Sequence, residues 1–261
     1  MLIDTHTHIY LDEFNDDRND VILRAKSSGV RHMILPNVDR ETIPGLLNLE
    51  QSDPHFFHAA MGLHPTSVNE KYLDELALMK AELDKRPYCA IGEIGMDLYW
   101  DKTFRQEQIE AFETQLKWAI DLNVPVIIHV RNAFFEALES VKKLNNKHLR
   151  GVFHSFSGSL EIAKEIMKLD GFMLGINGVV TFKNAKLPDV LAQVPLDYLV
   201  LETDAPYLTP APYRGKRNEP AYLTFICEKL AEIYHTSSEE IIKKTGENAL
   251  EVFNSIIFAN D

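Results

Sequence analysis

The feature that most constrains this chain is an alternation. Short β-branched or aromatic runs recur along its 261 residues, separated by longer stretches with helical periodicity. The runs predict eight strands: Leu2–Thr5, His32–Pro36, Phe57–Met61, Tyr88–Glu93, Pro125–Val130, Gly151–His154, Phe172–Ile176 and Tyr198–Thr203. Between them, Phe104–Asn123 places Ile109, Phe112, Leu116, Ala119 and Ile120 on one helical face. Tyr72–Lys85 and Ser159–Asp170 repeat that pattern, the latter with Asp170-Gly171 as a stop signal. Leu187–Val194 has room only for a short helix, Pro44 and Gly45 interrupt the second connection, and the chain from Ala221 onward reads as closing or covering helices. This is the α/β alternation of a (β/α)8 TIM barrel, expected here as one domain over 1–261. A doubly wound open sheet is the competing architecture, but no GxGxxG follows the first strand.

Charge and cysteine usage bound the function. A formal charge of −12 argues against a broad basic surface that grips nucleic acid through many phosphates. A small basic site, or a metal ion supplying positive charge locally, stays open. Cys89 and Cys227 cannot make a disulfide framework, so a reduced, cytoplasmic compartment is expected. The opening MLIDTHTHIYLDEF has no secretory pattern, and no apolar stretch approaches the ~20 residues of a membrane span.

The ten histidines say more. In His6-Thr7-His8, positions i and i+2 of an extended segment face one side, so both imidazoles can meet one metal. Asp4 shares their parity and is a candidate to orient one of them. Glu93, His129, His154 and Asp204 then fall at the ends of the fourth, fifth, sixth and eighth strands, separated by 36, 25 and 50 residues. Barrel active sites assemble at that end of the strands. Singly, each residue reads as a structural polar group. Jointly, four histidines and two carboxylates at one mouth are costly to bury without metal. Imidazole and carboxylate without thiolate suit zinc, manganese, iron or, less well, magnesium. Six ligands suggest two divalent ions bridged by a carboxylate, and metal-assisted hydrolysis follows.

Supporting roles are expected at Glu202 (same parity as Asp204, an orienter or ion-pair partner), His64 in GLHP and Arg131 beyond His129. Arg214, Lys216 and Arg217 in PYRGKRNEP form a basic loop beside the metals, suited to phosphate or simply solvated. Tyr99 and Trp100 either stack on a base or cover the barrel edge. His32, His55, His58, His148 and His235 fit no such pattern and read as structural or surface residues, as do the two cysteines.

The ordered set IDTHTH, GLHP, AIGEIGMDLYWD, PVIIHVRNAFFE, GVFHSFSGS, GVVTFKN, LETDAPYLTP and RGKRNEP resembles the TatD family of metal-dependent deoxyribonucleases, among the amidohydrolase-like barrels. The resemblance covers nearly the whole chain. It implies metal ligands at His6, His8, Glu93, His129, His154 and Asp204, a substrate role for His64, and hydrolysis of DNA phosphodiesters, commonly from a 3′ end. In that reading Asp204 and Glu93 are catalytic, with Asp204 accepting or steering the proton of water. Lys216 and Arg217 steady the phosphate backbone of DNA substrate, expected as single-stranded ends. Two alternatives remain at this stage: a hydrolase of the same architecture acting on an aminoacyl-tRNA ester or small phosphoester, and a non-catalytic metal-binding scaffold.

Overall fold

The computed structural model describes residues 1–253; the tail of the expected span, 254–261, lies outside the described residues. Apolar runs with β-branched residues bury on both faces and so form parallel strands rather than half-exposed ones. They are β1 (Leu2–Asp4), β2 (Val30–Pro36), β3 (Phe57–Met61), β4 (Ala90–Asp97), β5 (Val126–Arg131), β6 (Gly151–Phe153), β7 (Phe172–Ile176) and β8 (Leu199–Leu201). All neighbours are parallel, in the order β1 to β8. Helices α1 (Arg18–Ser27), α2 (Ile43–Ser52), α3 (Tyr72–Leu83), α4 (Arg105–Leu122), α5 (Phe134–Leu144), α6 (Leu160–Met167) and α7 (Leu187–Leu191) fill the connections, and α8 (Leu223–Tyr234) and α9 (Ser238–Val252) follow β8. The result is a nearly closed (β/α)8 TIM barrel.

The barrel closes through contacts beyond the regular ladder. The Thr5 N–H donates to the Leu201 carbonyl at 3.0 Å, and the Asp204 N–H donates to the His6 carbonyl at 2.9 Å. Between these bonds, the Asp4 carboxylate accepts from the Thr203 N–H at 2.9 Å and from the Thr203 hydroxyl at 2.6 Å.

One apolar side chain from each strand fills the lower lumen: Ile3, Ile34, Ala60, Ala90, Ile127, Val152, Met173 and Val200. Ala249 and Val252 of α9, with Phe253, complete that cluster and plug the end opposite the site. Burying an isoleucine, valine or methionine of this set contributes about 1.5–3 kcal/mol. The interior is thus a packed floor, on which the polar residues of the mouth stand.

Several local expectations are corrected. β4 runs on to Asp97 rather than stopping at Glu93, because its register with β5 shifts between Ile91 and Ile94. Such a bulge breaks the two-residue alternation that a sequence reading relies on. Pro44 does not interrupt the second connection; it sits in the first turn of α2, where its missing N–H costs nothing. α6 ends at Met167, before Gly171, whose positive φ of 77° instead turns the chain into β7. No helix among the described residues is long and apolar enough to cross a membrane.

Candidate metal centre

The strand ends bring all six expected ligands together around Glu93, which is 3 % exposed. Its Oε2 lies 3.1 Å from His6 Nε2 and 3.5 Å from His8 Nε2. Its Oε1 lies 2.8 Å from His129 Nδ1, 3.2 Å from His64 Nε2 and 3.4 Å from His154 Nε2. Asp204 Oδ1 stands 3.6 Å from both His6 Nε2 and His8 Nε2. Asp204 reaches this place from a left-handed backbone at φ 59°, a conformation costly for a non-glycine residue and tied down by its bond to the His6 carbonyl. His6 and His154 stack with ring centroids 3.6 Å apart.

The partners of the rings set their tautomers. The Tyr10 hydroxyl donates to the Pro36 carbonyl at 2.5 Å, so its oxygen accepts from His8 Nδ1–H at 2.8 Å. His8 therefore turns an unprotonated Nε2 toward Glu93 and His6. The Thr66 N–H donates to His64 Nδ1 at 3.2 Å, which leaves the proton of a neutral His64 on Nε2, facing Glu93. His129 Nε2 meets Asp97 Oδ2 at 3.0 Å. His154 Nδ1 lies 3.1 Å from Glu202 Oε1, an oxygen that also accepts the Ser155 N–H at 2.6 Å.

Burial and charge oppose each other throughout. Burial alone would lift the Glu93 carboxyl, but His64, His6 and His154 together hold it well below the usual carboxylate range. Burial drives His6 well below its ordinary value, reinforced by the neighbouring His154. For His154, burial disfavours the charged ring, yet Glu202, Glu93 and Asp204 outweigh it and pull the ring up to about 10. Burial raises Asp204 to about 6 against the pull of His154 and His8, and raises Asp4 to about 8 against the hydrogen bonds from Thr203.

These residues fit divalent metal. Glu93, Asp97, Glu202 and Asp204 are all buried, while no lysine or arginine among the described residues is. Imidazoles are the basic groups in contact with them, so a cation would relieve an excess of buried negative charge. His6 Nε2 and His8 Nε2 face each other at 3.0 Å, a contact that needs either a shared proton or a cation. His6 Nδ1 and Glu202 Oε2 are buried without a hydrogen-bond partner. Ligand atoms cluster closely enough for metal in three groups: His6, His8 and Glu93; His6, His154 and Glu202; and His64, Glu93 and His129.

The supporting residues divide. Glu202 stands against His154, and Gly175 makes room for it: a Cβ there would lie 2.2 Å from Glu202 Oε2. Asp4 accepts from the His6 backbone N–H at 3.3 Å and joins β1 to β8, acting on the histidine through its main chain instead of its ring. His64 joins the cluster. Arg131 lies at the rim, its guanidinium 3.7 Å from the Tyr99 ring centroid and 5.1 Å from that of Trp100. The basic loop is largely fastened. Arg217 pairs with Asp17 at 2.6 Å and packs over Phe14, and Arg214 lies over Phe182 at 3.6 Å. Asn218 donates to the Thr203 and Tyr207 carbonyls at 2.8 and 2.6 Å, bracing the Asp204 turn from below. Lys216 remains exposed.

Sequence reasoning missed Asp97 and Tyr10. Asp97 was hidden by the bulge in β4. Tyr10 continues the parity of His6 and His8, and that signal was available.

The TatD related DNase family matches residues 3–254 of the chain. The uncharacterized metal-dependent hydrolase YabD of Bacillus subtilis is 40% identical over 255 residues, covering 97% of this chain and 99% of that protein. The putative deoxyribonuclease tatdn3 of Danio rerio is 31% identical over 266 residues, covering 97% of each. Among solved structures, the TatD homolog YJJV from Escherichia coli K12 superposes with a TM-score of 0.90 at 32% identity, covering 97% of this chain and 98% of that one.

Proposed function

The chain belongs to the TatD-related DNase family of metal-dependent hydrolases, and on that premise we propose that it is a deoxyribonuclease that releases short products from the 3′ end of single-stranded DNA. The observation that carries this reading is Glu93, a buried carboxylate whose two oxygens together meet five imidazoles. His6, His8, Glu93, His129, His154 and Asp204 would hold two divalent ions, magnesium, manganese or zinc, with Glu93 shared between them. When bound, such ions polarise a phosphoryl oxygen and make water acidic enough to attack phosphorus.

The remaining work falls to the chain. Asp204, whose Oδ1 stands 3.6 Å from both His6 Nε2 and His8 Nε2, takes the proton of the attacking water. Tyr10 and Glu202 keep His8 and His154 in their orientations. Arg131 and Lys216 supply positive charge at the rim, while Arg217 acts mainly by anchoring the loop that carries Lys216. A concave mouth in an acidic chain admits a strand end, which brings few phosphates into the repelling field, and disfavours a duplex lying flat. The choice of the 3′ end comes from the family resemblance.

The test compares end-labelled linear and closed circular single-stranded DNA of equal sequence, at fixed metal and salt, with aminoacyl-tRNA and small phosphoesters in parallel. Stepwise release from the linear 3′ end and slow cutting of the circle is the expected outcome. Equal rates on the two forms reject the exonuclease assignment, and turnover of only the other esters rejects the nuclease.

A further inference from the structure

The loops after β3 and β4 enclose a cavity of about 220 Å³ lined by Pro65, Thr66, Val68, Asp97, Trp100 and Phe104, among others. Two of its walls are joined directly to the centre. Asp97 Oδ2 is 3.0 Å from His129 Nε2, and the Thr66 hydroxyl is 2.6 Å from His64 Nδ1. The cavity therefore opens beside the reacting phosphodiester of the reading above. We propose that it is a nucleobase subsite, in which the base next to the cleaved phosphodiester stacks against the Trp100 indole; this rests on the nuclease reading.

Chemistry selects the occupant. Proline, valine, phenylalanine and tryptophan give flat apolar walls. The only charged lining residues are Asp97 and Asp101, and no lysine or arginine lines the space. Two carboxylates repel a phosphate, and the exposed Asp101 can accept an N–H group on the edge of a base, while Asp97 is held by the Tyr99 N–H and His129. Trp100 is 72 % exposed and Tyr99 51 % exposed, so both rings have a free face at the mouth. A single exposed aromatic is ordinary on a protein surface. Here the two rings meet edge to face at 4.9 Å, and Arg131 lies over both. Arg131 pairs in register with Asp97 and follows His129 by two positions on β5, which puts a cation between the base cavity and the centre's own strand. Base between aromatic walls and phosphate beside arginine is the pattern by which single strands are held without sequence preference.

The test uses the metal-loaded enzyme and single-stranded trideoxynucleotides made abasic at one position at a time. We expect kcat/KM of the wild type to fall about tenfold when one particular base is removed. Trp100→Ala should lose that discrimination, cleaving intact and abasic trimers at similar rates, while Trp100→Phe keeps it and metal content stays unchanged. In a Trp118→Phe chain, Trp100 is the remaining indole. Its fluorescence should be quenched by a phosphorothioate trimer and not by its abasic counterpart. Cleavage of trimers with no preference for a base at any position, or unaltered discrimination in Trp100→Ala, overturns the subsite and leaves the nuclease reading standing. No cleavage of any trimer by the metal-loaded wild type overturns both.

Discussion

Gly175→Ala is a one-carbon change with a calculable consequence. The added Cβ would stand 2.2 Å from Glu202 Oε2 and 2.7 Å from its carboxyl carbon. Normal contact requires about 3.5 Å, so the carboxylate must retreat by roughly 1 Å. Glu202 is fully buried and has no solvent to retreat into. A retreat of that size breaks its 2.6 Å bond from the Ser155 N–H and loosens its 3.1 Å approach to His154. Overpacking costs about 1–3 kcal/mol, and loss of a hydrogen bond to a charged group about 1.5–3 kcal/mol. We expect a destabilisation of about 2.5–6 kcal/mol on those figures. Metal affinity should fall about 10–100-fold, the usual consequence of disturbing the partner of a metal-binding histidine. Urea unfolding reads the first quantity, and competition with a fluorescent chelator reads the second. Because the damage is assigned to Glu202, adding Gly175→Ala to a Glu202→Ala chain should cost little further. A Gly175→Ala protein with wild-type stability and metal affinity, or one whose loss is the same in both backgrounds, refutes this account.

Glu93→Gln should keep the fold and lose about a hundredfold or more in hydrolysis, since a neutral amide bridges cations poorly; circular dichroism and turnover, with metal content measured, check it, and near-normal turnover in a protein retaining both ions refutes the bridge. His58, 4 % exposed and with Nε2 3.0 Å from His32 Nδ1, is held at about 4 by burial foremost and by His32 and His55 next. The folded ring stays neutral while the unfolded one takes a proton below its ordinary 6.5, so this site has no effect on stability above about pH 7 and costs stability as pH falls toward 4. By pH 4.5 the cost is about 2.5 kcal/mol, and His58→Gln should remove that part of the acid sensitivity in urea unfolding.

The sequence was most legible where chemistry and periodicity coincided. His129 lies on β5 and His154 directly follows β6, strands whose alternation is unbroken, so counting by two from Ile127 and Val152 puts both at the mouth. Glu93 is legible from its place at the end of the expected fourth strand, but the bulge between Ile91 and Ile94 breaks the count by two beyond it, and Asp97 was lost there. The basic loop was the least legible. Arg217 looks like a ligand for phosphate in one dimension, but Asp17, its actual partner, is remote in sequence.

The seam between β1 and β8 also makes the protein's own synthesis a checkpoint. Asp4 and Thr203 meet across a separation of 199 residues, and His6 meets Asp204 at the same joint. Chains emerge amino-terminus first, and contacts this distant form only after the intervening chain has closed on itself. A nascent or truncated polypeptide ending before Leu199 carries His6, His8, Glu93, His129 and His154, yet lacks Glu202, Asp204 and the threonine that pins Asp4. Its histidines have no finished mouth to stand in. Only the polypeptide that has joined its last strand to its first presents the whole constellation.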